Sequence, residues 1–173
     1  MTVIAWDGTT LAADKMTSFG GLHGTTTKVH RVGENLVAGC GTTALIQEML
    51  RWVEGGCDPD KFPAQQRDSK ESVSLLVVRK DGPLHQYETT PWPLVLHNKQ
   101  WAIGNGRDFA MAAMYLGKTA REAVEITSVL CHDCGNGVDE LTHNDRVEGR
   151  AAALSRRVPS HDGLEGNGTG HHE

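Results

Sequence analysis

The stretch that decides the fold is residues 2–18, which read TVIAWDGTTLAADKMTS. Thr2 to Trp6 is a short apolar run typical of a strand, Asp7-Gly8 is a two-residue hairpin signal, and Thr9 to Asp14 is typical of the returning strand. A tight hairpin brings the chain back beside its own start. The carboxylate of Asp14 is therefore expected to lie near Thr2.

Thr2 becomes the first residue of the chain once Met1 is removed, and its small side chain suits removal by methionine aminopeptidases. A threonine hydroxyl is a weak nucleophile that needs a base. A free α-amine titrates near pH ~8 and can accept the hydroxyl proton directly or through water. The sequence thus makes Thr2 a candidate nucleophile that carries its own base, although many proteins begin Met-Thr for no catalytic reason.

Lys28 is the third candidate site residue. Residues 16–27, with three glycines, are predicted to form a loop that returns the chain to the site at Lys28. A lysine held between a carboxylate and an amine stays charged and lowers the pKa of the amine by like-charge repulsion. Asp14 or Lys28 alone would be interpreted as a solvated charge, but the two together with Thr2 favour a catalytic site.

Further segments extend this pattern in order along the chain. The matching segments are Thr2, Asp7-Gly8, Ala12-Ala13-Asp14, Lys28-Val29-His30-Arg31-Val32, Ala38-Gly39-Cys40 and Trp101-Ala102-Ile103-Gly104-Asn105-Gly106, followed by helices at Phe109 to Leu116 and Ala120 to Val129. Through these segments, as far as about Leu141, the chain resembles the proteasome β-subunit family, most closely its HslV-type bacterial branch. An ordered pattern of many parts is far more specific than one short motif.

The resemblance implies an α+β fold, a four-layer αββα sandwich of two antiparallel sheets between helices, as in N-terminal-nucleophile hydrolases. It also implies that Thr2 is the nucleophile and, through its amine, the base. Lys28 would tune that amine and Asp14 would orient Lys28. The backbone N–H of Gly39 would stabilise the tetrahedral oxyanion. A structural interpretation also holds for Gly39 and Gly41, as glycines that permit a strand-to-helix turn.

Two departures from the family pattern affect the predicted site. Family members usually carry serine in the Gly-Ser-Gly turn near the threonine, and here Asn105 takes that place with an amide that can still hydrogen-bond the N-terminus. Many members also have Asp-x-x-Ser-Gly-Gly near the site, where this chain has residues 131–136, CHDCGN. Either Asp133 substitutes in a shifted register or this contact is missing.

Length and charge favour one compact enzyme domain. The 173 residues are predicted to comprise a folded domain at 2–141 and a flexible polar tail at 142–173, where small, charged and glycine residues dominate. The net charge of -5 and the absence of Lys/Arg blocks argue against nucleic acid as a partner. No leader and no long apolar run occurs, so we expect a cytoplasmic protein without a membrane partner.

The four cysteines raise the question of a metal. Cys131 and Cys134 have the spacing of half a zinc site, with His132 and His143 close by in sequence, but Cys40 and Cys57 are too far apart to supply the other half. Reduced thiols in a loop are the favoured interpretation, with bound zinc as the alternative. No cofactor is predicted.

The remaining elements follow from periodicity and turn signals. An amphipathic helix is predicted at Thr43 to Glu54, with Trp52 on a face suited to burial between subunits. The other predicted elements are a polar loop at 57–72, a hairpin of Val73 to Arg79 with Leu84 to Glu88, a strand pair at Leu94 to His97 and Gln100 to Ile103, and helices at Asp108 to Leu116 and Thr119 to Leu130, the last with a capping box.

Three functions are open at this point. The resemblance favours a threonine endopeptidase that hydrolyses peptides or unfolded proteins inside a closed homo-oligomeric ring of two stacked hexamer-like rings, fed by an AAA+ unfoldase. The second is a non-proteolytic amidase with the same fold and nucleophile. The third is a catalytically silent ring-forming scaffold, which had no need to keep Thr2, Asp14 and Lys28.

Overall fold

The structure, a computed structural model, describes residues 2–63 and 73–145. Within these ranges the chain has mixed α/β structure. The strands are β1 Val3–Trp6, β2 Thr10–Asp14, β3 Met16–Phe19, β4 Leu22–Thr25, β5 Val29–Val32, β6 Asn35–Cys40, β7 Ser74–Val78, β8 Leu84–Tyr87, β9 Leu94–Leu96, β10 Trp101–Gly104 and β11 Val138–Thr142. The helices are α1 Thr43–Glu54, α2 Arg107–Tyr115 and α3 Ala120–Leu130, with a short 3-10 helix at Pro59–Lys61.

The described strands form two larger antiparallel sheets and one separate hairpin. The first sheet has the order β10-β1-β2-β11, so the N-terminal strand β1 lies in its interior. The second sheet has the order β5-β6-β7-β8-β9, with each strand paired to its neighbour in sequence. Strands β3 and β4 pair only with each other.

The hairpin predicted from Asp7-Gly8 is confirmed, but its turn is longer than two residues. Trp6 pairs with Leu11, which leaves Asp7 to Thr10 as the connection. The Asp7 carboxylate holds this turn, since its Oδ1 accepts from the N–H groups of Thr9 at 2.9 Å and Thr10 at 2.8 Å. A side chain that satisfies two backbone donors stabilises a turn that sequence alone does not distinguish from a tighter one.

The prediction of a loop over residues 16–27 was wrong. Residues 16–25 form a second hairpin, with Phe19 opposite Leu22 across Gly20-Gly21. Gly20 has φ +60°, a conformation that favours glycine, so this glycine makes a tight turn rather than slack chain. The two strands predicted after Trp92 are confirmed as β9 and β10, but their predicted pairing was wrong, because β9 pairs with β8 in one sheet while β10 pairs with β1 in the other.

The C-terminal part of the described chain adds an edge to the first sheet. β11 runs antiparallel to β2, with Val138 opposite Asp14 and Thr142 opposite Thr10. The predicted folded domain, 2–141, and the predicted tail, 142–173, meet at the end of this strand. Residues 146–173 of that tail lie outside the described residues, so its flexibility stays a prediction.

The helix predictions are confirmed to within one residue at each end. α1 has the predicted bounds, and α3 begins after the predicted capping box, in which Thr119 accepts from the Glu122 N–H and the Glu122 side chain accepts from the Thr119 N–H. α2 begins at Arg107, one residue before the predicted start, and ends at Tyr115, one residue before the predicted end.

Burial divides the apolar side chains into three clusters. β1 shows the reason, because Val3 and Ala5 point to one face of its sheet and Ile4 and Trp6 to the other. Ile4 and Trp6 pack with apolar residues of the second sheet such as Leu76. Val3 and Ala5 pack with α2 and α3, and a third cluster lies between the second sheet and α1. The site described below lies where β1 begins and β2 ends.

Trp52 on α1 is part of the chain's own core, contrary to the prediction that it faces another subunit. It is 5% exposed, its Nε1–H donates to the Asp58 carbonyl at 2.7 Å, and its ring makes edge contacts with Phe62 and Tyr87. Fully burying such a ring is worth about 2–3 kcal/mol. Exposed apolar side chains lie elsewhere, as described under the proposed function.

In the part of the chain that the structure describes, no helix has both the length and the apolar character that crossing a membrane requires.

Candidate active site

Thr2 and Asp14 meet because of the register of the first hairpin. Ile4 pairs with Ala13. The start of β1 therefore lies beside the end of β2, where Asp14 follows Ala13. The Val3 N–H donates to Asp14 Oδ1 at 2.9 Å, which fixes the carboxylate next to Thr2. Thr2 is 6% exposed and Asp14 is fully buried. The predicted proximity of the two residues is confirmed.

Lys28 reaches these residues from the other sheet. It precedes β5, and its ammonium Nζ donates at 2.8 Å to Thr2 Oγ1 and at 2.8 Å to Asp14 Oδ1. Lys28 is 8% exposed, so this ion pair is removed from solvent. A buried ion pair is held only when further hydrogen bonds satisfy its charges, because the desolvation cost of each ion is several kcal/mol.

The remaining hydrogen bonds converge on Asp14. Its Oδ2 accepts from the Met16 N–H and from the Gly135 N–H, each at 3.1 Å. The carboxylate therefore has four donors: three backbone N–H groups and the Lys28 ammonium. Asp14 is thus held in a fixed position, from which it keeps Lys28 Nζ against the Thr2 hydroxyl.

Gly135 was not predicted as a site residue. Its carbonyl also accepts from the Lys15 N–H at 2.9 Å, so residue 135 is held to the end of β2 by both of its backbone groups. The match of residues 131–136 to Asp-x-x-Ser-Gly-Gly already places Gly135 at the first glycine, but the sequence alone did not single it out as a site residue. That register puts Cys131 and Cys134 at the aspartate and serine positions.

Asp133 does not take the place of the family's aspartate near Thr2, and instead contacts a neighbouring histidine. Its Oδ1 lies 3.0 Å from Nε2 of the exposed His132. The structure gives no contact between Asp133 and Thr2, Asp14 or Lys28 among the described residues. Cys134, by contrast, is 4% exposed and lies near Asp14. Burial and the charge of Asp14 raise the pKa of the Cys134 thiol to about 12.

Gly39 lies in the strand β6, where the absence of a side chain leaves room for neighbouring residues. A Cβ at this position would lie 2.9 Å from Ile46 Cγ2 and 3.0 Å from Leu75 Cδ1, so glycine lets α1 approach the sheet. The glycine with positive φ in this turn is Gly41, at φ +120°. Gly39 and Thr2 line the same cavity of about 500 Å³. The oxyanion role of the Gly39 N–H stays a prediction.

The cavity shared by Thr2 and Gly39 has a mixed lining. Apolar atoms come from Met16 and Ile46, and hydroxyl groups from the threonines at 17, 26 and 27. His30 also lines it, and burial lowers the pKa of this imidazole below its ordinary value, so it is neutral at neutral pH. No carboxylate from the described residues lines this cavity.

Asn105 lines a different cavity beside Thr2 from the one that Gly39 lines. It is exposed and lines a second cavity of about 510 Å³ together with Thr2, Cys40 and Gly104. The structure therefore brings Asn105 near Thr2, while a hydrogen bond from its amide to a free N-terminus stays a prediction. Burial raises the pKa of the Cys40 thiol, which keeps that neighbour of the site protonated at neutral pH.

Gly104 is essential to the position of Thr2. It has φ +92°, and a Cβ there would lie 2.2 Å from the Thr2 carbonyl oxygen and 2.9 Å from the carbonyl carbon. Gly106 is similarly close-packed, because its Cβ would lie 2.4 Å from Thr127 Cγ2, and its N–H donates to the Thr2 carbonyl at 3.3 Å. The Gly-Asn-Gly turn thus touches the backbone of Thr2 directly.

We expect Gly104→Ala to destabilise the protein by at least about 3 kcal/mol, since backbone strain and a clash with immobile backbone atoms add together. Gly117→Ala is a matched control, with φ +89° but no atom within 4 Å of the added Cβ. It should cost only the strain, about 1–2 kcal/mol. Urea unfolding of both variants measures the difference, and equal losses would contradict the contact with Thr2.

No cluster of three or more His, Cys, Asp or Glu side chains suited to hold a metal ion occurs within residues 2–63 and 73–145. The four cysteines are free thiols. His143 packs edge-on against Trp6. The zinc alternative therefore gains no third ligand from the described chain.

Comparisons with known structures support the fold. HslV from Trypanosoma brucei matches with a TM-score of 0.61 and 18% identity, covering 81% of this chain and 97% of that one. BPH from Thiobacillus denitrificans matches with a TM-score of 0.63 and 19% identity, covering 82% and 96% of the two chains. The same protein in complex with epoxomicin also matches, with a TM-score of 0.63, 19% identity and coverage of 82% and 97%.

These matches confirm the predicted resemblance to HslV at the level of the fold. Comparison with models of protein families finds no match, and comparison with curated protein sequences finds none either. With identities of 18–19%, the fold is what the structural matches establish. The chemistry of the site must be argued from its own residues.

Proposed function

We propose that this chain is an N-terminal threonine peptidase, whose nucleophile is the Thr2 hydroxyl exposed by removal of Met1. The observation that carries the proposal is the position of Lys28 Nζ, 2.8 Å from both Thr2 Oγ1 and Asp14 Oδ1 in a buried cluster. A scaffold protein gains little from this arrangement, because a buried ion pair is often no more stabilising than apolar side chains of similar volume.

The proposed reaction begins with proton transfer from the Thr2 hydroxyl to the Thr2 α-amine, directly or through a water. The Lys28 ammonium stabilises the negative charge that develops on Oγ1, and Asp14 keeps Lys28 in place. Oγ1 attacks the carbonyl carbon of a peptide bond, and we assign the stabilisation of the oxyanion to the Gly39 N–H. The amine then protonates the leaving group, and water hydrolyses the ester that links substrate to Thr2.

The layered arrangement of the fold is part of this proposal. We infer a four-layer αββα sandwich of the type found in N-terminal-nucleophile hydrolases. Support comes from the three apolar clusters, one between the two sheets and one between each sheet and its helices. Such an arrangement leaves Thr2 between the two cavities that Gly39 and Asn105 help to line.

Intact mass spectrometry tests the nucleophile. Epoxomicin is present in one of the similar BPH structures, and an epoxyketone of this kind forms a ring with both a hydroxyl and a free amine. We expect one adduct on the mature protein, at Thr2, and none on Thr2→Ala. A chain that keeps Met1, or an adduct that survives in Thr2→Ala, would disprove the mechanism. An adduct without turnover of peptides would favour an amidase with another substrate.

Lys28→Ala should move the acidic limb of the activity profile to higher pH, because the α-amine loses the neighbouring charge that lowers its pKa. The rate near neutral pH should fall by about 10- to 100-fold. Lys28→Arg keeps the charge but not the compact ammonium, so it should restore little activity. Lys118→Ala removes an exposed lysine paired with Glu122 and serves as the control. An unchanged profile in Lys28→Ala would show that Lys28 does not act on the amine.

We further propose a cytoplasmic homo-oligomeric ring that confines hydrolysis of unfolded polypeptides, with an AAA+ unfoldase as its partner. Exposed apolar side chains support association between copies, since such patches mark interaction sites. They lie at the ends of α2 and α3, in β9 and in the segment just before β9: Tyr115, Leu116, Val129, Leu130, Leu94 and Trp92. Light scattering coupled to size exclusion should give a mass many times 18.8 kDa. A monomer would disprove the ring.

A further inference from the structure

The turn after α3 carries two thiols that the proposed reaction does not use. The Cys134 N–H donates to the Cys131 carbonyl at 3.0 Å, which closes a tight turn. Turns of this kind bring the first and last Cα atoms within about 7 Å, and disulfides span about 4.4–6.8 Å between Cα atoms. The two thiols also interact electrostatically, since the neighbouring Cys131 contributes to the raised pKa of Cys134. The two residues are therefore close enough for a bond to form between them after a small shift of one of them.

The same turn is joined to the candidate active site. Gly135 follows Cys134 directly and donates its N–H to Asp14 Oδ2 at 3.1 Å. On the other side, the Cys134 sulfur lies near Gly106, where an added Cβ would be 3.2 Å away, and the Gly106 N–H donates to the Thr2 carbonyl. A displacement of Cys134 can therefore affect Asp14 through Gly135 and Thr2 through Gly106.

We propose that Cys131 and Cys134 form a reversible disulfide, with a small-molecule disulfide such as oxidised glutathione as the oxidant, and that this bond weakens the hold of Gly135 on Asp14. Its formation is independent of the proposed peptidase function, whereas its effect on hydrolysis rests on that function. The C-x-x-C segment is thereby assigned to redox modification rather than to metal binding.

The two thiols take different parts in the reaction. Cys131 is half-buried, so its thiolate attacks one sulfur of oxidised glutathione and expels one glutathione thiolate. Cys134, which is 4% exposed, then loses its proton to solvent and attacks the Cys131 sulfur, expelling the second glutathione thiolate. Two protein thiols lose two electrons and the glutathione disulfide gains them.

The disulfide displaces Cys134 rather than Cys131. The Cys131 N–H donates to the Thr127 carbonyl at 2.8 Å, which ties it to the end of α3. The two sulfur atoms must approach to about 2.05 Å to form the bond, so Cys134 moves toward Cys131 and carries Gly135 with it. The Gly135–Asp14 hydrogen bond is lost or lengthened, and the carboxylate that positions Lys28 loses one of its four donors.

The test compares the full chain in oxidised glutathione and in dithiothreitol, by alkylation of free thiols and intact mass spectrometry. We expect the oxidised chain to lose two alkylatable thiols, mapped to Cys131 and Cys134, with a mass about 2 Da below the reduced chain and no retained glutathione. Dithiothreitol should reverse the change. Cys57→Ser, which removes a distant thiol, should behave like the parent. Alkylation of both residues after oxidation, or glutathione left on Cys131, would overturn the proposal.

Hydrogen exchange and activity test the link to Asp14. The amide of Gly135 should exchange faster in the oxidised parent, and hydrolysis should fall about tenfold, the factor expected for losing a hydrogen bond to a charged group. Cys131→Ser should show neither change. Because this variant keeps Cys40 near the site, it also tests whether oxidation of Cys40 causes the inhibition. Inhibition that persists in Cys131→Ser, or unchanged exchange at Gly135 in the disulfide form, would overturn the link. A reduced chain without any hydrolysis would reject the peptidase function, while thiol mapping and exchange would still decide this inference.

Discussion

Thr2→Ala is expected to lower peptide hydrolysis by about four to six orders of magnitude while the fold persists. The Thr2 hydroxyl accepts from Lys28 Nζ at 2.8 Å in the ion-pair cluster. Lys28 keeps its bond to Asp14 when Oγ1 is removed. The free energy of unfolding should therefore change by no more than about 1–2 kcal/mol. Peptide hydrolysis assays and urea unfolding measure the two effects separately.

Thr2→Ser provides the matched control, because it keeps a hydroxyl at the same place and loses only a methyl group. It should retain a measurable part of the activity and should still form the epoxyketone adduct. Hydrolysis by Thr2→Ala at the parent rate would contradict the threonine mechanism. A Thr2→Ala chain that fails to fold would contradict the claim that the fold does not depend on this hydroxyl.

Asp14→Asn is expected to destabilise the protein by about 3–5 kcal/mol and to reduce hydrolysis by at least about 100-fold. The carboxylate accepts from four donors and is fully buried. An asparagine has one acceptor oxygen, so its NH₂ group must face two of these donors. Lys28 also becomes a buried charge without its counter-ion. Urea unfolding monitored by circular dichroism measures the loss of stability.

Asp139→Asn is the control for Asp14→Asn, because it makes the same chemical change in β11, the strand that pairs with β2. Asp139 pairs with Lys15 at 2.9 Å, and both side chains are partly exposed, at 23% and 29%. A pair of this kind is worth about 0–1 kcal/mol. If Asp14→Asn cost no more than Asp139→Asn, the buried network around Asp14 would not hold the site together.

Local sequence determined the elements that depend on local interactions. The spacing of apolar residues in 43–54 and the Thr119/Glu122 capping box were sufficient to place α1 and α3, because a helix satisfies its own backbone and its cap lies within one turn. The Asp7-Gly8 signal was sufficient for the first hairpin, and hence for the proximity of Thr2 and Asp14. The ordered motif pattern extended this to Lys28, which is 26 residues from Thr2.

Tertiary structure decided what local patterns do not encode. The pairing of β10 with β1 and β11 with β2, and the contact of Gly135 with Asp14 across 121 residues, depend on which sheet each strand joins. A strand satisfies its hydrogen bonds only through a partner, and local sequence does not identify that partner. The sequence by itself therefore determined which residues could do chemistry, whereas packing of the two sheets and α3 decided which backbone donors hold Asp14, and through it Lys28, in place.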